Sequence, residues 1–314
     1  MKFSVALEGD RVFAFYLKAL KILEEHEFFS LQLYEHLGFK PAWSTSFLLA
    51  PFSKKVRIGV VTVPCAFVHP LYTGANALVL NEVTKGRALL GISRGAFYES
   101  VSQSPKNRLQ ALVDTLEILK ALFSKSKKGY QGKVYSLPKG RALRFRYSGR
   151  PVIYGGSSGP RTISLLCSFE IVDGIVVDNL WNPSYVSVVL DAMKKGSPKG
   201  AKELVARPFC VVVEEESERK RARKLAIRTL AKYLPKLVDG SPMLSFAGIT
   251  QEAFNIDEVL ENFCAFGNAS EIVEQTFKMF KSGVTHVCYG LPLGVNSIRA
   301  LKILAQKVKP HFTE

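Results

Sequence analysis

No run of apolar residues in the 314-residue chain reaches the roughly eighteen that a membrane span needs, which sets aside an integral membrane helix. Its start, MKFSVALEGDRVF, is interrupted by Glu8, Asp10 and Arg11 before a signal-peptide core could form, so a cytoplasmic location is expected. Cysteine is sparse and odd in number. Cys65, Cys167, Cys210, Cys264 and Cys288 are widely spaced in apolar surroundings, so neither disulfides nor a metal site is expected, and the five read as small core residues. Acidic residues are few, 27 against 43 basic ones, and the resulting formal charge of +16 suits an anionic partner without naming it. Nucleic acid is not that partner, because there is no recognition helix, zinc-finger spacing or aromatic and basic RNA-binding strand. KSKKGYQGK (125–133) reads as a solvated loop, and EEESERKRARK (214–224) as an exposed helix pairing Glu215 with Arg219 and Glu216 with Lys220. The dinucleotide fingerprint and the Walker loop are also missing, which leaves a small phosphorylated or polycarboxylate ligand bound in some other way.

What is there is a folding chain, 47% hydrophobic and 22% charged, in which short apolar runs alternate with longer amphipathic ones. Strands are expected at 1–7, 30–34, 55–63, 87–93, 151–155, 173–179, 204–213 and 285–290. Runs such as KVRIGVVTV are too continuously apolar for a sheet with one wet face and suit a parallel sheet covered by helices. Helical spacing follows at Phe15, Leu17, Leu20 and Leu23, at 71–83, and at 105–123, where Leu109, Leu112, Leu116, Leu119 and Leu122 share a face behind Pro105. Further helices are expected at 160–169, 184–195 and 297–308. Eight such units predict an α/β fold, a (β/α)8 TIM barrel, as one domain over 1–314 with an insertion between strands seven and eight at about 214–266.

In that fold chemistry belongs to the C-terminal strand ends, whose loops vary without disturbing the packed interior. After strand five, GGSSGPRTI (155–163) has Gly155 and Gly156 to turn the chain, Gly159 for close approach and Pro160 to open a helix. Ser157 and Ser158 offer hydroxyls and Arg161 a charged fork. These letters serve either a tight turn or a phosphate site at a helix N-terminus. GISRGAFYES (91–100) repeats the same physics one strand earlier through Ser93, Arg94 and Gly95, and two such loops in a basic chain favour phosphate. After strand two, Glu35 and His36 form either a proton-handling pair or a structural histidine beside a carboxylate, since neighbouring side chains in a strand point apart. His69 before Pro70 caps a turn or faces a ligand, and Tyr98 and Trp181 pack in the core or flank a flat ring. Asp178, Asn179 and 290–294 also stand at strand ends.

Taken in order, MKFSVALEG, Glu35-His36, RIGVVTV with FVHP, EVTKGRALLGISRG, RPVIYGGSSGPRTISLLCSFEIVDGIVV and GVTHVCYGLPLGVNSIRALKIL resemble the landmarks of the bacterial-luciferase-like flavin and deazaflavin barrel enzymes. Within that superfamily they look most like the F420-dependent methylenetetrahydromethanopterin reductases. The resemblance implies coenzyme F420 at the barrel mouth, with FMN as the alternative. It puts the coenzyme phosphate on Gly155, Gly156, Ser157, Ser158, Gly159 and Arg161 and on Ser93, Arg94 and Gly95, and a cis peptide near Val61, Thr62 and Val63. It implies Glu35 and His36, at the family's Asp-His, as catalytic together with Glu8, and a homodimer or higher homo-oligomer. The chain departs from the reductases at Ala6, where they have glutamate, with Glu8 two residues on. It departs also at Val63 and Pro64, where they have threonine and asparagine, and at Val68, where arginine is frequent. Hydride transfer to a pterin-like substrate is thus expected, beside two alternatives: an FMN-dependent monooxygenase and a non-catalytic F420-binding homologue.

Overall fold

The apolar runs fold into a closed parallel barrel. β1 (Lys2–Leu7), β2 (Ser30–Leu33), β3 (Arg57–Pro64) and β4 (Ala88–Ser93) make its first half. A short antiparallel hairpin of β5 (Tyr130–Gln131) and β6 (Ser136–Leu137) intervenes before β7 (Val152–Gly156), β8 (Gly174–Asp178) and β9 (Glu203–Arg207). Past β10 (Phe209–Val212) and β11 (Cys264–Gly267), β12 (His286–Tyr289) pairs with both β9 and β1 and closes the ring, and β13 (Pro292–Gly294) follows. The helices are α1 (Phe13–Glu25), α2 (Ala42–Leu49), α3 (Pro70–Val83), α4 (Arg108–Phe123), α5 (Pro160–Cys167) and α6 (Pro183–Gly196). The insertion supplies α7 (Arg219–Tyr233), α8 (Pro242–Phe246) and α9 (Ile256–Phe263), and α10 (Ala269–Lys281) and α11 (Ser297–Ile303) follow, the last running on into a π-helical turn at Leu304–Val308. This computed structural model describes residues 1–96, 106–140, 142–197, 200–234, 242–248 and 256–312; Tyr98 and Pro105 lie outside them. No described helix is long and apolar enough to cross a membrane.

Both faces of the barrel strands are buried, which is why their sequences do not alternate. Outward residues pack under the helices, while Ala6, Val61, Leu89, Tyr154, Val176, Val205 and Cys288 fill the interior. All five cysteines are buried.

Four expectations are corrected. The run 204–213 is two strands: at Pro208, which has no N–H to continue a ladder, the chain leaves the barrel, and β10 joins β11 and β13 in a separate three-stranded sheet. The end of the insertion is therefore β11, and the segment 290–294 is partly strand. Leu109 is exposed, because it stands in the first turn of α4, ahead of the packed face of Leu112, Leu116, Leu119 and Leu122. Part of 125–133 enters the β5–β6 hairpin, tied down by Asp114, which accepts from the Val134 and Tyr135 amides at 2.7 and 3.0 Å. Arg219 pairs with Glu216 and Glu271 at 2.6 and 2.7 Å, not with Glu215, because a 3-10 turn at Glu216–Glu218 precedes α7.

The N-terminal end of the barrel is plugged by polar groups. Glu203 takes bonds from the Lys2 ammonium and, at 2.7 Å, from the Tyr154 hydroxyl, while Nδ1 of buried His286 lies 3.6 Å away. Burial pushes the Glu203 carboxyl up, but His286, Lys2 and Tyr154 more than offset this and hold it down at about 2. A folded value below the unfolded one contributes stability that is fully present above the unfolded pKa and lost as pH falls through the folded value. Urea midpoints should therefore drop as pH falls from about 4.5 to about 2, and Glu203→Gln should flatten that part of the curve.

Candidate active site

At the C-terminal rim, three neighbouring strands bring the two glycine loops together. Pro64 of β3 lies in register with Ser93 of β4, and Ser93 with Gly156 of β7. The Thr62 and Ser93 hydroxyls are 2.9 Å apart, and Ser93 Oγ also accepts from the Gly95 amide at 3.3 Å. Gly95 has φ of +80°, a left-handed conformation that glycine adopts without strain. A Cβ at Gly156 would lie 2.6 Å from Thr62 Cγ2 and 3.2 Å from Ser93 Cβ, so the bare backbone there is a packing requirement. Beyond it, Ser157 Oγ accepts from the Gly159 amide at 3.1 Å, the Ser158 carbonyl accepts from the Tyr185 hydroxyl at 2.8 Å, and Pro160 opens α5. Arg161 and Arg94 are both exposed at this rim.

The three residues singled out on β3 divide. The Val61–Thr62 peptide is cis, within the segment where the resemblance put one, and the β3–β4 register shifts between Val60 and Val63. Thr62 reaches the rim, Val61 points into the barrel interior, and Val63 packs outward under the helices.

Across the mouth, His36 does not turn to its chain neighbour. Its Nδ1 lies 3.5 Å from Glu8 Oε1, and its ring stacks on Tyr34 at 5.6 Å. The Glu35 carboxylate instead accepts the Ala42 amide at 2.9 Å and so holds the start of α2. Burial raises the Glu35 carboxyl, against the pull of the Ala42 and Trp43 amides. Glu8, which is buried, accepts at 2.7 Å from the hydroxyl of Tyr233 on the inserted helix α7. Burial works to raise its carboxyl, but His36 and Tyr233 win, so it sits below the ordinary range and is charged at neutral pH. The Tyr233 phenol is pushed up by burial and by Glu8 and remains a donor. His69 caps α3, its Nδ1 accepting from the Leu71 amide at 3.2 Å, and Trp181 is buried with Nε1 donating to Gln275 at 3.0 Å.

Sequence reasoning missed Arg207, the largest buried side chain of the barrel interior. Its guanidinium donates to both Asp178 oxygens at 2.5 and 2.9 Å, to the Val61 carbonyl at 2.5 Å and to Gln32 at 3.2 Å, and lies 4.4 Å from the Tyr34 ring centroid. Burial opposes its charge and Asp178 more than restores it. Asp178, by contrast, keeps about half of its side chain exposed (48%) at the mouth. The signal was available: Arg207 is the one charge inside the apolar run LVARPFCVVV. Asp178, Arg207, Tyr34, His36, Glu8 and Tyr233 thus form a continuous polar line from β8 to the insertion.

This architecture is shared with relatives along nearly the whole of each chain. The protein is 23% identical to a 5,10-methylenetetrahydromethanopterin reductase of Archaeoglobus fulgidus over 99% of each chain. Among solved structures it superposes with a TM-score of 0.81 on the coenzyme F420 dependent tetrahydromethanopterin reductase of Methanopyrus kandleri, at 19% identity and 99% coverage of each. The same score, at 16% identity and 100% coverage of each, is found with an F420-dependent secondary alcohol dehydrogenase in complex with an F420-acetone adduct. The profile of the luciferase-like monooxygenases matches residues 2–286, and the chain belongs to that bacterial-luciferase-like superfamily of flavin- and F420-binding barrel oxidoreductases.

Proposed function

We propose that the mouth binds coenzyme F420 and that the protein transfers a hydride between it and a methylene-tetrahydropterin-type substrate. The observation that carries this reading is Gly156 packed on Thr62 and Ser93, a cradle any side chain would fill, with hydroxyls, exposed arginines and the amides of α5 around it. Bound there, the deazaflavin supplies the hydride chemistry. The residues of the chain orient and hold charge. Ser157, Ser158, Arg161 and the first amides of α5 take the coenzyme phosphate, with Arg94 adding charge from the neighbouring loop. Arg207 fixes the Val61 carbonyl and the Asp178 carboxylate. The charged Glu8 orients His36 through Nδ1 and holds a negative charge at the mouth, and Tyr233 steadies that carboxylate from the side.

Glu8→Gln should lower kcat by about 100-fold or more, the scale of positioned acid and base groups, with the F420 dissociation constant unchanged. An undiminished kcat would remove Glu8 from the chemistry. The description of the family favours a second reading, FMN reacting with oxygen at the same mouth. Parallel titrations with F420, FMN and NADPH, followed by ligand fluorescence, separate the two: F420 binding without FMN binding supports the reductase, and the reverse supports the monooxygenase. F420 binding with no turnover on any pterin marks a non-catalytic homologue.

A further inference from the structure

Beside the mouth, between the start of α1, helix α7 and the turn after β12, lies a cavity of about 440 Å3, within the usual range of small-molecule sites. Glu8 and Tyr233 form its inner end, so it reaches the polar line at the mouth. Leu7, Phe15, Leu225 and Leu291 give it apolar walls, and Arg11, Arg228 and Lys232 stand on its rim.

The charges of this cavity are not equally committed. The Glu8 carboxylate is taken by Tyr233 and faces His36, and Asp10 lies 3.4 Å from Arg11. Lys232 donates to the neutral Tyr233 oxygen at 2.9 Å, lies over the Tyr233 and Phe39 rings at 4.6 and 5.9 Å and helps to hold the Glu8 carboxyl down, and among the described residues neither Lys232 nor Arg228 makes an ion pair. What remains available to a ligand is therefore positive. The helix itself repeats the point. Lys220, Lys224, Arg228 and Lys232 follow one another at i,i+4 along α7, a like-charge stripe that weakens an isolated helix, whereas Arg219 and Arg223 elsewhere on α7 are neutralised by Glu216, Glu271 and Asp257.

We propose that this cavity is a binding subsite for the anionic end of the second substrate: a molecule with a flat apolar body seated against Leu7 and Leu291 and a carboxylate or phosphate group held by Arg228 and Lys232. That the occupant is the redox substrate rests on the function proposed above; the subsite itself rests on the cavity and its charge.

Calorimetric titration tests it with p-aminobenzoylglutamate as the carboxylate probe, phenyl phosphate as the phosphate probe and benzamide as the neutral control. At least one anionic probe should bind about tenfold or more tightly than benzamide, and Arg228→Glu and Arg228→Gln should each cost that probe about tenfold, the scale of a charge-assisted hydrogen bond. Lys224→Gln, on the same helix outside the cavity, should leave its affinity unchanged. The stronger anionic probe identifies the group. Benzamide binding as well as both anions, or affinities indifferent to both Arg228 variants, would overturn the proposal. Circular dichroism of each variant confirms the fold, and F420 and FMN are titrated in parallel. Arg228-dependent anion binding without coenzyme binding leaves the subsite standing and removes the redox reading; coenzyme binding with no Arg228 effect does the opposite.

Discussion

Gly156→Val should lower F420 affinity by about 100-fold or more while leaving a folded barrel, a loss on the scale of overpacking a close-packed site. The first added carbon would already lie 2.6 Å from Thr62 Cγ2. Thr62 cannot simply swing aside, because its hydroxyl is paired with Ser93, whose own hydroxyl accepts the Gly95 amide. A side chain at 156 therefore displaces all three neighbouring strand ends together. Gly200→Ala, where the nearest atom to a new Cβ is 3.6 Å away, is the matched control. Fluorescence titration with F420 reads the effect, and tight binding by the valine variant would remove the cradle.

Asp178→Ala should destabilise the protein by about 3 kcal/mol, the low end of the cost of stripping a partner from a buried charge, since water reaches the aspartate side of the pair. The guanidinium of Arg207 would keep, among the described residues, the Val61 carbonyl, Gln32 and the face of Tyr34 to answer it, with water reaching it solely from the vacated aspartate side. The double variant Asp178→Ala with Arg207→Met should recover most of the loss, because an ion pair replaced as a unit by apolar groups is close to neutral. Urea denaturation of the two variants measures this. A single variant as stable as the parent would mean that the charge is compensated from elsewhere.

The barrel was legible because its strands are continuous apolar runs and helices follow them at regular spacing. Its interruptions were not. Four- and three-residue strands such as β11 and β13 are too short for periodicity to register, and their pairing with β10 joins distant parts of the sequence. The break at Pro208 could have been read from the proline itself. At the mouth, the glycine loops announced themselves by composition, and their register in space follows from their being on adjacent strands. The partner of His36 could not be read locally, since the chain neighbour Glu35 is drawn to the amide of Ala42 and the real neighbour, Glu8, comes from the end of β1. Arg207 was hidden in plain view, because the surrounding apolar letters directed attention to packing.

The hydroxyl that Tyr233 gives to Glu8 comes from outside the repeating strand-and-helix pattern. Trimmed to its eight units, the barrel could still close around its core, yet the acidity of its mouth carboxylate would be set by one neighbour fewer. The acidity of a central group is thereby governed partly from the periphery, so a change in one added helix shifts the charge of the mouth without touching a single barrel strand.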